Sequence, residues 1–174
     1  MRDFSISVDV KASPERVWEV LTDAERWHEW TPSVTSVELL DKPIALGGRA
    51  IIRQPELPPA KFKITAFEPG RSFTWVTGMP GIVFAHARHI VEPIPSGARV
   101  TLVLRFDGLL GGVMGKKMAD LNNRYLRMEA AGLKRFSEEG PRDTGIPLEK
   151  WNAEAQRGLT ATAGEPFAQT STPR

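Results

Sequence analysis

The chain has 174 residues, no cysteine, and a formal net charge of +2 from 23 basic and 21 acidic side chains. Without thiols it holds no disulfide, thiolate–zinc site, cysteine-ligated iron–sulfur cluster or cysteine nucleophile. So small a charge excess, with Gly115-Lys116-Lys117 as its largest local cluster, is not the footprint of a nucleic-acid binder.

A hydrophobic fraction of 41% beside 25% charged residues is ordinary for a globular domain. No stretch reaches the roughly 18 apolar residues of a membrane span. The start, MRDFSISVDV, lacks a signal-peptide core, so a cytoplasmic protein without membrane insertion is expected.

Residues 3–10 alternate, with Phe4, Ile6, Val8 and Val10 on one face, and predict a half-buried strand. In KASPERVWEVLTD, Ser13 is a good N-cap, Pro14 suits the first helical position and Glu15 suits the positive helix end. Val17, Val20 and Leu21 share a face, so a short amphipathic helix is predicted. Asp23 is placed to cap a second short turn over 25–29, which Pro32 ends. The stretch AERWHEWTPSV puts Trp27 and Trp30 where a connection usually carries small polar groups.

Strand-like segments follow at 33–41, 47–54, 60–68, 71–78, 82–93 and 98–107, with EPGRS (68–72) and IPSGA (94–98) as tight turns. No helix-length segment separates them, so the sheet is antiparallel. Residues 111–137 predict one long helix, whose Met114, Met118, Leu121, Tyr125, Met128 and Gly132 recur at spacings of three and four. The fold class is α+β. A curved sheet closing on one helix leaves a cavity wherever side chains do not fill the space.

The predicted organisation is a domain over 1–137 and a Pro-, Gly- and Thr-rich tail over 138–174. Within the tail, 147–157 reads as a short helix stopped by Gly158, with Trp151 as a docking residue; the plainer reading is a mobile extension.

Among candidate functional residues, His86 and His89 lie an odd number apart in one strand and so on opposite faces. His28 is expected to face solvent, so neither a metal site nor a cofactor is expected. His89 shares its face with Ala85, Ala87 and Val91, which are small enough to leave room. It reads equally as a ligand-orienting group or as a satisfied core histidine. Phe62 and Trp75 read as core or as a ligand platform. No GxSxG, P-loop, GxGxxG or HExxH motif is present, so no reaction class is readable.

VDVKASPERVWEVLTDAERWHEW, GGRAIIRQPELPPAKFKITAFEPGRSFTW and RHIVEPIPSGARVTL, followed by a long helix, resemble the SRPBCC (START-like) superfamily. Within it they resemble the polyketide cyclase/dehydrase-like branch, over about residues 3–137. The resemblance implies a helix-grip fold, a seven-stranded antiparallel sheet around a C-terminal helix. It implies binding of a hydrophobic small molecule or lipid in the cavity between them. It also implies that Trp27 anchors the short helices while Trp30 lies near the pocket. The superfamily has no universal catalytic motif, so catalytic residues stay unknown.

Three functions remain open: a non-catalytic binder, a cyclase, aromatase or dehydratase using His89, Tyr125 or Arg53, and a protein-interaction module. The expected cavity lining is Trp30, Phe62, Trp75, His89, Met118, Leu121 and Tyr125, with His89 and the Tyr125 hydroxyl orienting the ligand. No acidic residue is clearly placed to hold His89 in one tautomer, which weighs against a general base. The expected partner is a hydrophobic small molecule. Oligomeric state is not readable.

Overall fold

The computed structural model describes residues 2–143 and 145–159. Residues 160–174, the last part of the extension read above as mobile, lie outside the described residues. The strands are β1 (Arg2–Val10), β2 (Ser36–Leu39), β3 (Arg49–Arg53), β4 (Ala60–Glu68), β5 (Ser72–Met79), β6 (Val83–Ile94) and β7 (Gly97–Asp107). They form one antiparallel sheet in the order β1-β7-β6-β5-β4-β3-β2. Sequential hairpins build six strands, while β1 pairs with β7 from Arg2↔Phe106 to Val10↔Ala98. A register shift between Ile64 and Ala66 on β4 adds a bulge, which bends the strand and deepens the sheet's curvature.

Helix α1 (Pro14–Thr22) and a 3₁₀ turn (Ala24–Glu29) carry the chain from β1 to the opposite edge. The Ser13 hydroxyl accepts from the Arg16 N–H at 3.2 Å, and Val17, Val20 and Leu21 are buried, as the capping and spacing foretell. β2 is shorter than expected. Pro32 lies between Thr31 and Ser33, which are fully buried and joined hydroxyl to hydroxyl at 2.7 Å, so this stretch turns before pairing begins.

The single helix expected over 111–137 is two helices: α2 (Gly111–Lys117) and α3 (Ala119–Glu139). Met118 leaves helical geometry at φ −99°, ψ 12°. Gly111, Gly112 and Gly115 weaken the first segment, since glycine costs about 1 kcal/mol against alanine inside a helix. The methionine spacing runs through the break and hides it.

The C-terminal half of α3 closes the core, where Ala130, Leu133 and Phe136 are buried with Val17, Leu21 and Val100. Lys134 Nζ donates to the Asp9 carbonyl at 2.6 Å, tying α3 to β1. Helix α4 (Leu148–Arg157) packs on α3 through buried Trp151 and Asn152. No described helix is long and apolar enough to cross a membrane.

Candidate functional site

A cavity of about 270 Å³ lies between the concave sheet face and the N-terminal half of α3. This is near the lower end of the volumes that hold small molecules. Strand alternation selects its walls. Phe62 comes from β4, Trp75 and Thr77 from β5, Ala85, Ala87 and His89 from β6, and Leu102, Leu104 and Phe106 from β7. The two alanines opposite Thr77 and Trp75 are what leave the space open. Gln54, Leu57 and Pro58 of the β3–β4 connection close one side. That connection is fastened to α3, because the Tyr125 hydroxyl donates to the Pro55 carbonyl and Arg124 pairs with Glu56.

Of the expected lining residues, Phe62, Trp75, His89, Met118 and Tyr125 meet in this cavity. Trp30 and Leu121 do not. The two tryptophans divide their work differently from the expectation. Trp27 lines the cavity, with its indole N–H donated to the Leu21 carbonyl at 3.0 Å. Trp30 is 1% exposed, packs on Trp27 with ring centroids 5.8 Å apart, and lies beside Arg16, Arg26 and Phe136. Its carbonyl holds the Asn152 amide at 3.2 Å.

The face of α3 turned to the cavity is Met118, Asn122, Tyr125, Leu126 and Glu129. The stripe read from apolar residues alone is therefore offset, and Leu121 and Met128 are half-buried at its flank. Asn122 and Glu129 were missed because they are polar. The signal that finds them is the spacing 118, 122, 125, 129, which is also helical.

His89 has an acidic partner, contrary to expectation. Its Nε2 lies 2.8 Å from Glu129 Oε1, and the two side chains are only 5% and 14% exposed. The imidazole stacks on Phe73 with centroids 4.6 Å apart at 17°, and Trp27 packs at 5.3 Å. The carboxylate and the two rings fix the orientation of the histidine, and with it which nitrogen is left over. That nitrogen, Nδ1, is buried and has no hydrogen-bond partner.

Two further buried groups of the cavity wall have no partner in the protein, Trp75 Nε1 and Asn122 Nδ2. Leaving such a donor unmade costs about 1–3 kcal/mol. The wall is thus apolar over most of its area and carries two open donors beside a carboxylate-oriented histidine. The Tyr125 hydroxyl is already used by Pro55, and burial, aided by the Glu56 carboxylate, pushes its phenol pKa up. Arg53 is exposed and lies 3.6 Å from Glu38 on β2, outside the cavity. His28 is exposed.

Residues 1–138 match the family described as polyketide cyclase / dehydrase and lipid transport. No curated protein matches the chain. Among solved structures, the hypothetical protein jhp0584 of Helicobacter pylori superposes with a TM-score of 0.64 at 13% identity, covering 78% of this chain and 86% of that one. XoxI of Bacillus cereus gives 0.62 at 18% identity, covering 78% and 94%. The Aha1 dimer of Colwellia psychrerythraea gives 0.60 at 18% identity, covering 80% and 98%. At these identities the likeness establishes the fold alone.

Proposed function

The chain belongs to the polyketide cyclase/dehydrase and lipid transport family, and from that premise we propose that its cavity binds an apolar small molecule carrying an acceptor oxygen. The observation that carries this reading is the pair of buried, unpartnered donors, Trp75 Nε1 and Asn122 Nδ2, in an otherwise apolar wall. An apolar body gains by leaving water, and a carbonyl-type oxygen gives the donors the partner they lack. The Glu129 carboxylate, held in the same wall, disfavours a ligand that is itself an anion.

The test compares acetylnaphthalene with ethylnaphthalene, which differ by a carbonyl in place of a methylene, by fluorescence or calorimetric titration. The ketone is expected to bind about fivefold tighter, the worth of one hydrogen bond of about 1 kcal/mol. Trp75→Phe and Asn122→Leu should each shrink that preference. Equal binding of the two probes would remove the acceptor requirement. Failure of both to bind would remove the ligand reading.

One observation favours a second reading. A carboxylate–histidine pair with a free Nδ1 is the arrangement that lets a histidine take a proton. If the cavity does acid–base chemistry, a bound ketone should exchange its α-hydrogens for deuterium in heavy water. His89→Gln should abolish that exchange without abolishing binding. Absence of exchange in the unaltered protein leaves the binder reading.

A further inference from the structure

We propose that the loops at one end of the cavity form a docking surface for an anionic lipid bilayer, through which the ligand reaches the cavity. This rests on the reading of the cavity as an apolar-ligand site. Seven large hydrophobic side chains are exposed among the described residues, and five of them, Met79, Ile82, Leu109, Leu110 and Val113, come from two connections. One is the β5–β6 turn and the other leads from β7 into α2. They are neighbours in space, because the Leu110 N–H donates to the Ile82 carbonyl at 2.9 Å. Leu109 is 84% exposed and Val113 68%, far beyond a side chain that merely grazes solvent. A contiguous patch of this kind on a globular domain marks an interaction site.

The charge beside the patch selects the partner. Lys116 and Lys117 close the last turn of α2 and are exposed. Residues 78–83 and 108–119 contain no Asp or Glu. The preceding carboxylate, Asp107, is turned to His86 at 3.0 Å. Protein interfaces are enriched in aromatic residues, methionine and arginine and depleted in lysine. Apart from Met79, this surface has the reverse composition, aliphatic tips flanked by lysine. Aliphatic tips enter the boundary between headgroups and acyl chains, and lysines meet anionic headgroups. Contact is peripheral, with no element crossing the bilayer.

The patch also adjoins the cavity. Thr77 pairs with Ala85, and Ala85 with Phe106; all three line the cavity and lie within three residues of Met79, Ile82 and Leu109 along the chain. Met118, which ends α2, lines it too. Helix α2 therefore has the cavity at its end and the exposed Val113 and lysines on its outer side.

The experiment is vesicle flotation of the full chain with phosphatidylcholine alone and with added phosphatidylglycerol. The expected result is flotation that depends on phosphatidylglycerol. Lys116→Gln/Lys117→Gln should weaken it at least about tenfold, and Leu109→Asp/Val113→Asp should abolish it. Both variants should bind acetylnaphthalene in free solution as the unaltered protein does, which separates docking from the cavity reading. No flotation by a protein that binds the probe overturns the docking surface. So does a dimer, seen by light scattering, that Leu109→Asp/Val113→Asp dissociates, because the patch is then covered by a second copy.

Discussion

Tyr125 is the only tyrosine in the chain, so its ionisation can be followed by tyrosinate absorbance without assignment. Burial is the main cause holding its phenol above the ordinary value of 10.0, and the Glu56 carboxylate adds to it. The unfolded chain therefore releases this proton first as pH rises. The stability that Tyr125 contributes is complete below pH ~10 and is lost as pH climbs through the raised folded value. The absorbance titration should lie wholly alkaline of a free phenol; a midpoint at the ordinary value would show that the side chain is not enclosed.

Glu129 carries a second expectation at this scale. Glu129→Leu leaves His89 Nε2 without its partner at 2.8 Å and should cost about 1–3 kcal/mol in chemical denaturation. No loss would mean the pair does not form. Neither Glu129 nor Asn122 was legible from apolar periodicity, because a buried polar residue reads as a surface residue until the helix is docked. The roles of Trp27 and Trp30 were hidden for a related reason. Their partners are the Leu21 carbonyl, which takes the Trp27 indole N–H, and Asn152 of α4, which holds the Trp30 backbone carbonyl.

Elements were legible where local chemistry decides them. The Ser13-Pro14 start of α1 and the alternation of β1, β5 and β6 needed no tertiary information. The break at Met118 was not legible, because the methionine spacing runs through it; the glycine-rich segment before it also packs closely at its start. A Cβ on Gly111 would lie 3.0 Å from the Phe106 backbone.

The approach of α3 to the 3₁₀ turn is similarly specific. A Cβ at Gly132 would sit 1.9 Å from the Trp30 carbonyl oxygen and 2.9 Å from Asn152 Nδ2. Gly132→Ala must therefore push α3 away from the turn, which should lower the thermal midpoint; an unchanged midpoint would contradict that packing. Helix α4 is held by Trp151, 3% exposed, with the Arg135 guanidinium 4.8 Å above its ring. Trp151→Ala should cost about 3–5 kcal/mol, as truncation of a buried aromatic does. A change within the ±0.5 kcal/mol of a surface substitution would show α4 to be loosely attached.

At the scale of the molecule, one arrangement explains both the packed core and the cavity. The C-terminal half of α3 is packed against β1, β7 and α1, while its N-terminal half stands off the sheet over Ala85 and Ala87. The fold class was legible because antiparallel strands followed by a helix admit few ways of burying one sheet face. The chemistry of the cavity was not, because open donors exist only relative to the neighbours that fail to satisfy them.

The central claim is that a ligand enters this space and meets the Trp75 indole. The chain has five tryptophans, and each gives one indole N–H signal in a nitrogen-15 correlation spectrum. On titration with acetylnaphthalene, the Trp75 signal should move most, in the direction of a newly formed hydrogen bond, with a smaller change at Trp27. The signals of Trp30 and Trp151, which do not line the cavity, should stay in place. A Trp75 signal that stays fixed while the ketone binds would place the ligand elsewhere and contradict the claim.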